Sequence, residues 1–126
     1  MGEAARRIVI VDDDPLVLRT TAEILADDGY EVVQAEGYQQ ALERLEAAAP
    51  ETSVLVTDIR FSDGPDGIAL ARQVAERWPH IRIVIVSGDV RPAGGDYPES
   101  ALFFTKPYAP GALLTMVREG AEWARG

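Results

Sequence analysis

Five short apolar runs, rich in β-branched residues, recur along the chain. They are Ile8–Val11, Val32–Val33, Val54–Thr57, Ile83–Val86 and Leu102–Phe104. Stretches of helical spacing lie between and after them. Leu18, Ala22 and Leu25 share one helical face, as do Leu42, Leu45 and Ala49, then Ala71, Ala75 and Trp78, and finally Leu113, Val117 and Ala121. Strand and helix in strict alternation predict a parallel sheet with helices on both faces. The first, third and fourth runs are continuous, as strands covered on both faces should be. Punctuation falls in the gaps: Pro15 at a first helical position, Gly29 as a helix stop, and Pro50, Pro79 and Pro107. One segment breaks the pattern. Between Ser87 and Ala101 the chain reads GDVRPAGGDYPES, whose prolines and glycines predict an irregular loop with at most a short or distorted helical turn.

The 126 residues suffice for one domain with a single core, and no linker, repeat or low-complexity tract interrupts them. The expectation is one domain over residues 1–126, with no output domain attached. The chain has no cysteine, which excludes disulfides and thiolate metal sites and suits a reducing compartment. A net charge of −9 makes nucleic acid and anionic membranes poor partners. No apolar run approaches the ~20 residues that span a bilayer. The start, MGEAARR, has no hydrophobic segment behind it of the kind a signal peptide carries, so the expected location is cytoplasmic.

Ligands of open α/β sheets bind outside the carboxyl ends of the strands. Asp12, Asp13 and Asp14 follow the first run, Asp58 the third, Ser87 the fourth and Lys106 the fifth. Parallel strands bring all of these to one edge. Two carboxylates ~4 Å apart repel by about 4 kcal/mol at an effective dielectric near 20. Such a cluster requires positive charge among its members. Lys106, the only lysine beside eleven arginines, supplies one charge. A hard divalent cation such as Mg²⁺ supplies two more, and it pairs with carboxylate and phosphate. Asp14, before Pro15, reads instead as a helix N-cap.

These residues resemble a response-regulator receiver domain of two-component systems over nearly the whole chain. The motifs are VDDD with Asp12 and Asp13, TDIR with Asp58, VSG with Ser87, and FFTKPY with Lys106. The resemblance implies a flavodoxin-like, doubly wound five-stranded parallel sheet in the order 2-1-3-4-5, here with a short or remodelled fourth helix. It implies a signalling phosphoacceptor rather than an enzyme acting on other substrates. Asp58 would accept a phosphoryl group from a histidine kinase or histidine phosphotransfer protein, with Mg²⁺ required. Asp13, Asp58 and the Arg60 backbone carbonyl would hold the metal, with Asp12 acting largely through water. Ser87 would hydrogen-bond the phosphoryl group, Lys106 would pair with it, and Phe103 would stand as the switch aromatic. A downstream partner protein is implied but not identified. The Lys106–Pro107 bond is a candidate for the cis form.

The chain also departs from the family pattern. The loop after Asp58, IRFSDGPDG, has Phe61–Ser62 where the family usually has Met-Pro, and one extra residue before Gly67. Asp63 and Asp66 add negative charge there. An aspartyl-phosphate phosphohydrolase is the alternative function. It usually needs a second aspartate two residues after the nucleophile, where this chain has Arg60, and a cap for which the length leaves no room. A flavin or nucleotide module lacks its glycine-rich loop after the first strand. A degenerate receiver that signals without phosphorylation does not fit the intact motif set. His80, the only histidine, is expected in a surface loop at the opposite sheet edge. Trp78 and Trp123 are expected to pack on helix faces.

Overall fold

The computed structural model describes residues 6–61, 65–87, 98, 101–105 and 110–125. In chain order the elements are β1 (Arg7–Val11), α1 (Pro15–Asp27), β2 (Glu31–Ala35), α2 (Tyr38–Ala48), β3 (Thr52–Asp58), α3 (Gly67–Arg77), β4 (Arg82–Ser87), β5 (Leu102–Thr105) and α4 (Pro110–Arg125). A single 3₁₀ turn, Ala49–Glu51, joins α2 to β3. All four strand pairings are parallel and the order is β2-β1-β3-β4-β5. This is the expected topology. The segment expected to hold an irregular or remodelled fourth helix lies outside the described residues, apart from Pro98.

Side-chain alternation along the strands divides the core into two layers. Val9, Val11, Leu55, Ile83 and Ile85 point to one face and pack with Ala41 and Leu45 of α2 and Leu70, Ala71 and Val74 of α3. Ile8, Ile10, Val54, Val56, Val84 and Val86 point to the other and pack with Leu18, Ala22 and Leu25 of α1 and Leu113 and Val117 of α4. Because both faces are covered, β1, β3 and β4 read as unbroken apolar runs. β2 is an edge strand whose two valines are only half-buried. That explains why just Val32 and Val33 stand out in the sequence. Ala49, expected on the face of α2, is buried in the 3₁₀ turn instead. Trp78 is the C-cap of α3, half-buried against the same layer, with the Arg77 guanidinium 4.3 Å from its ring centroid.

The helix ends follow their local chemistry. Pro15 occupies the first turn of α1, and the Asp14 carboxylate accepts hydrogen bonds from the Leu16 and Val17 amides at 3.0 and 3.4 Å. After α1 the chain reverses through Gly29, whose φ of +96° suits a residue without Cβ. The far end of α1 is tied to α4 by Arg118, which donates to both oxygens of Asp28 at 3.1 and 2.8 Å. The hydrogen bond and charge of Asp28 hold the Arg118 pKa above its usual value. His80, exposed just before β4 at the amino-terminal edge, has Nε2 2.7 Å from the Ala49 carbonyl oxygen. Among the described residues, no helix is long and apolar enough to cross a membrane.

The Asp14 cap generates a test. Asp14→Ala should lower unfolding free energy by about 1 kcal/mol, and Asp14→Asn should restore most of it, as measured by urea denaturation.

Candidate functional site

From β1 the chain moves outward to β2, then returns to the other side of β1 to form β3. α1 and α2 therefore leave on opposite faces, and a crevice opens between the carboxyl ends of β1 and β3. Asp12 and Asp13 follow β1, and Asp58 is the last residue of β3. One carboxylate oxygen from each of the three lies within 4.8 Å of the others. Among the described residues this is the one cluster of acidic or imidazole side chains gathered so closely.

The three differ in setting. Asp12 is buried, with 8% of its surface exposed. Its amide donates to the Ala35 carbonyl at 3.1 Å, which ties the end of β1 to β2. Its side-chain Oδ1 accepts from the Asp14 amide at 2.9 Å. The residue that caps α1 thus also orients a carboxylate of the cluster. Asp13 is exposed and Asp58 half-buried. Asp58 Oδ1 accepts from the Ile59 amide at 2.7 Å, which limits rotation of the carboxylate. Beneath the cluster a small crevice is lined by Ile10, Val11, Leu18, Thr21, Val56 and Val86 together with Asp12 and Asp58. An apolar floor lowers the local dielectric and strengthens both the repulsion and the attraction for a cation.

The donor set is all hard oxygen. Three full charges at 4.8 Å would repel by about 3.5 kcal/mol per pair at an effective dielectric near 20. Such a set fits Mg²⁺, which accepts one or two carboxylates and keeps several waters, and lacks the nitrogen and sulfur ligands that zinc favours.

The remaining sequence-predicted residues fall around this edge. Asp58 pairs with Val86 in the sheet, so Ser87 stands one position further along β4. Ser87 is buried, 4% exposed, and pairs with Thr105 of β5. Phe103, opposite Ile85, is half-buried against the α2–α3 layer. Arg60 lies two residues beyond Asp58 on the loop, with its side chain exposed. Lys106 follows Thr105 directly but lies outside the described residues, as do Pro107, Tyr108, Ser62 and Asp63. The side chain of Trp123 is likewise outside them.

Two neighbours of Asp58 have no role assigned from the sequence. Thr57 appears there as the end of an apolar run and the first residue of TDIR. It is fully buried, and its hydroxyl donates to the Asp58 carbonyl at 2.8 Å. Gly67 opens α3 behind the N-cap Asp66, whose carboxylate accepts from the Ile68 and Ala69 amides at 3.1 and 3.0 Å. Its own amide donates to the Ile59 carbonyl at 2.6 Å. The Asp66 cap was visible in principle, as an aspartate before an apolar helical stripe. Nothing in the sequence shows that Gly67 abuts Asp58.

Relief of like-charge repulsion is measurable. Asp13→Asn should raise the stability of the metal-free fold by about 1 kcal/mol. Saturating Mg²⁺ should stabilise the unmodified chain, by about 2.7 kcal/mol at a hundred times Kd, and stabilise Asp13→Asn far less. Thermal unfolding with and without Mg²⁺ reads both effects.

The family model for the response regulator receiver domain matches residues 8–118. The chain is 32% identical over 106 residues to the response regulator receiver protein CpdR of Brucella abortus, a match covering 82% of this chain and 86% of CpdR. It is 37% identical over 84 residues to the sensor protein TorS of Escherichia coli, covering 67% of this chain but only 9% of that much longer protein. Among solved structures, a response regulator receiver protein from Sinorhizobium medicae superposes with a TM-score of 0.85 at 29% identity, covering 95% of this chain and 97% of that one. The acidic crevice at the β1–β3 switch point therefore sits in a recognised frame, and the chain belongs to the response regulator receiver domain family.

Proposed function

We propose that this chain accepts a phosphoryl group on Asp58 from the phosphohistidine of a histidine kinase or histidine phosphotransfer protein, and that the modification changes its protein contacts. The observation that carries the proposal is the convergence of Asp12, Asp13 and Asp58 within 4.8 Å at the carboxyl edge of the sheet. That edge also bears Ser87, and β5 runs there toward Lys106. A cytoplasmic location belongs to the same proposal.

Phosphoryl transfer between a histidine nitrogen and a carboxylate asks mainly for alignment and charge neutralisation. An Asp58 carboxylate oxygen attacks phosphorus as the phosphorus–nitrogen bond breaks, and the electron pair of that bond stays with the departing imidazole. The product is an acyl phosphate on Asp58. Bound Mg²⁺ would offset charge on the equatorial phosphoryl oxygens. Asp13, Asp58 and the Arg60 carbonyl would hold it, with Asp12 acting through water. Ser87 would donate its hydroxyl to a phosphoryl oxygen, and the Lys106 ammonium would pair with another. Half-buried Phe103, with no hydroxyl, would report the change through altered burial.

The phosphohydrolase alternative gains no support. Arg60 stands where such an enzyme needs an acid–base aspartate.

With a small acyl-phosphate donor and Mg²⁺, intact-mass spectrometry should show a gain of one phosphoryl group that Asp58→Asn abolishes. Lys106→Ala should slow the reaction by at least roughly tenfold, the loss of one charge-assisted contact. A folded chain that gains no phosphoryl group under these conditions overturns the proposal.

A further inference from the structure

The Asp58 peptide is held from the α3 side of the sheet by two residues for which the reaction has no direct use. Leu55 faces the α2–α3 layer. Thr57, two positions on, falls on the same face. Thr57 is 0% exposed, and its hydroxyl donates to the Asp58 carbonyl at 2.8 Å. An apolar residue would fill that space without the hydrogen bond. Gly67 meets the same carbonyl from the loop. A Cβ built on Gly67 would fall 1.8 Å from the Asp58 carbonyl oxygen, 2.8 Å from its carbonyl carbon and 2.9 Å from Ile59 Cα. All three are backbone atoms, so no side-chain rotation relieves the clash. The Gly67 amide closes the contact by donating to the Ile59 carbonyl at 2.6 Å.

We infer that Thr57 and Gly67 are positioning residues for Asp58, the first by a hydrogen bond to its carbonyl and the second by close backbone approach to it, so that the following peptide presents the Ile59 amide to the Asp58 carboxylate. This inference rests on the proposed phosphoacceptor role of Asp58. The chain of contacts is continuous. The Thr57 hydroxyl binds the Asp58–Ile59 peptide at its carbonyl, the Gly67 backbone packs against the same atoms, and the Gly67 amide holds the next carbonyl, that of Ile59. That peptide aims the Ile59 amide at Oδ1, 2.7 Å away. The amide in turn fixes the carboxylate that must lie in line with an incoming phosphorus. In-line transfer is sensitive to such placement, and a shift near 1 Å lowers rates by roughly a hundredfold. These contacts also link the start of α3 to the acceptor, since Gly67 is the first residue of that helix.

The test compares Thr57→Val, Thr57→Ser and Gly67→Ala with the unmodified chain. Phosphorylation rate constants are measured at saturating acyl-phosphate donor and Mg²⁺, and the Ile59 amide is followed by nuclear magnetic resonance. Thr57→Val should lower the rate constant about tenfold, the equivalent of one lost hydrogen bond, and shift the Ile59 amide resonance. Thr57→Ser keeps the hydroxyl and should restore both. Gly67→Ala should lower the rate constant roughly a hundredfold. If Gly67→Ala does not fold, the valine–serine comparison decides. A purely structural role for Thr57 would alter melting temperature while leaving rate constant and Ile59 resonance unmoved, and that result overturns the inference. Equal loss in the valine and serine variants also overturns it, since the hydroxyl would then not be the agent. Failure of the unmodified chain itself to gain a phosphoryl group is a different outcome: it removes the acceptor role, and the inference with it.

Discussion

Mutual repulsion among Asp12, Asp13 and Asp58 is the interaction on which the carboxyl edge of this molecule turns. Their oxygens approach within 4.8 Å of one another above a floor of Ile10, Leu18, Val56 and Val86. The sheet has no energetic reason to gather like charges there. It does so because chain topology leaves it no other place for them: β1 and β3 are neighbours, their connections depart to opposite faces, and the residues after each strand meet in the crevice between. The two apolar layers supply the stability that holds the cluster together. What the layers impose, a cation and a phosphoryl group can use. Carboxylates gathered this closely gain from binding a divalent ion.

The same edge is braced by backbone chemistry. Asp12 is oriented by the Asp14 amide, and Asp14 also caps α1. Asp58 is oriented by the Ile59 amide, and its peptide is held by Thr57 and Gly67 at the start of α3. Two helix beginnings therefore bear on two carboxylates. The Asp58 carbonyl lies against the first residue of α3. At β4 and β5, Ser87 pairs with Thr105 and Phe103 with Ile85, so a displacement at Ser87 bears on the strand that carries the half-buried phenylalanine.

Much of this was legible in the sequence, for identifiable reasons. β1, β3 and β4 announce themselves because burial on both faces demands unbroken apolar runs. β2 showed only Val32 and Val33 because an edge strand needs no more. The acidic site was legible because charges placed directly after buried strands have few structural uses. Less was legible where backbone proximity decides. Thr57 looks like the end of an apolar run, and its hydroxyl matters only through the carbonyl it meets. Gly67 could be any helix-opening glycine until its distance from Asp58 is known. The Arg118–Asp28 pair joins residues ninety positions apart, with no local pattern to suggest it. Trp78 carried the right periodicity for a helix face, but the helix ends one residue earlier.

The most direct measurement is a crystal structure of the chain with Mg²⁺ and a fluoroberyllate mimic of the phosphoryl group. The account predicts a cation among Asp12, Asp13 and Asp58, and a tetrahedral fluoroberyllate joined to one oxygen of Asp58 and contacted by Ser87. Fluoroberyllate on another side chain, or three carboxylates turned away from one another with no ion between them, would contradict it.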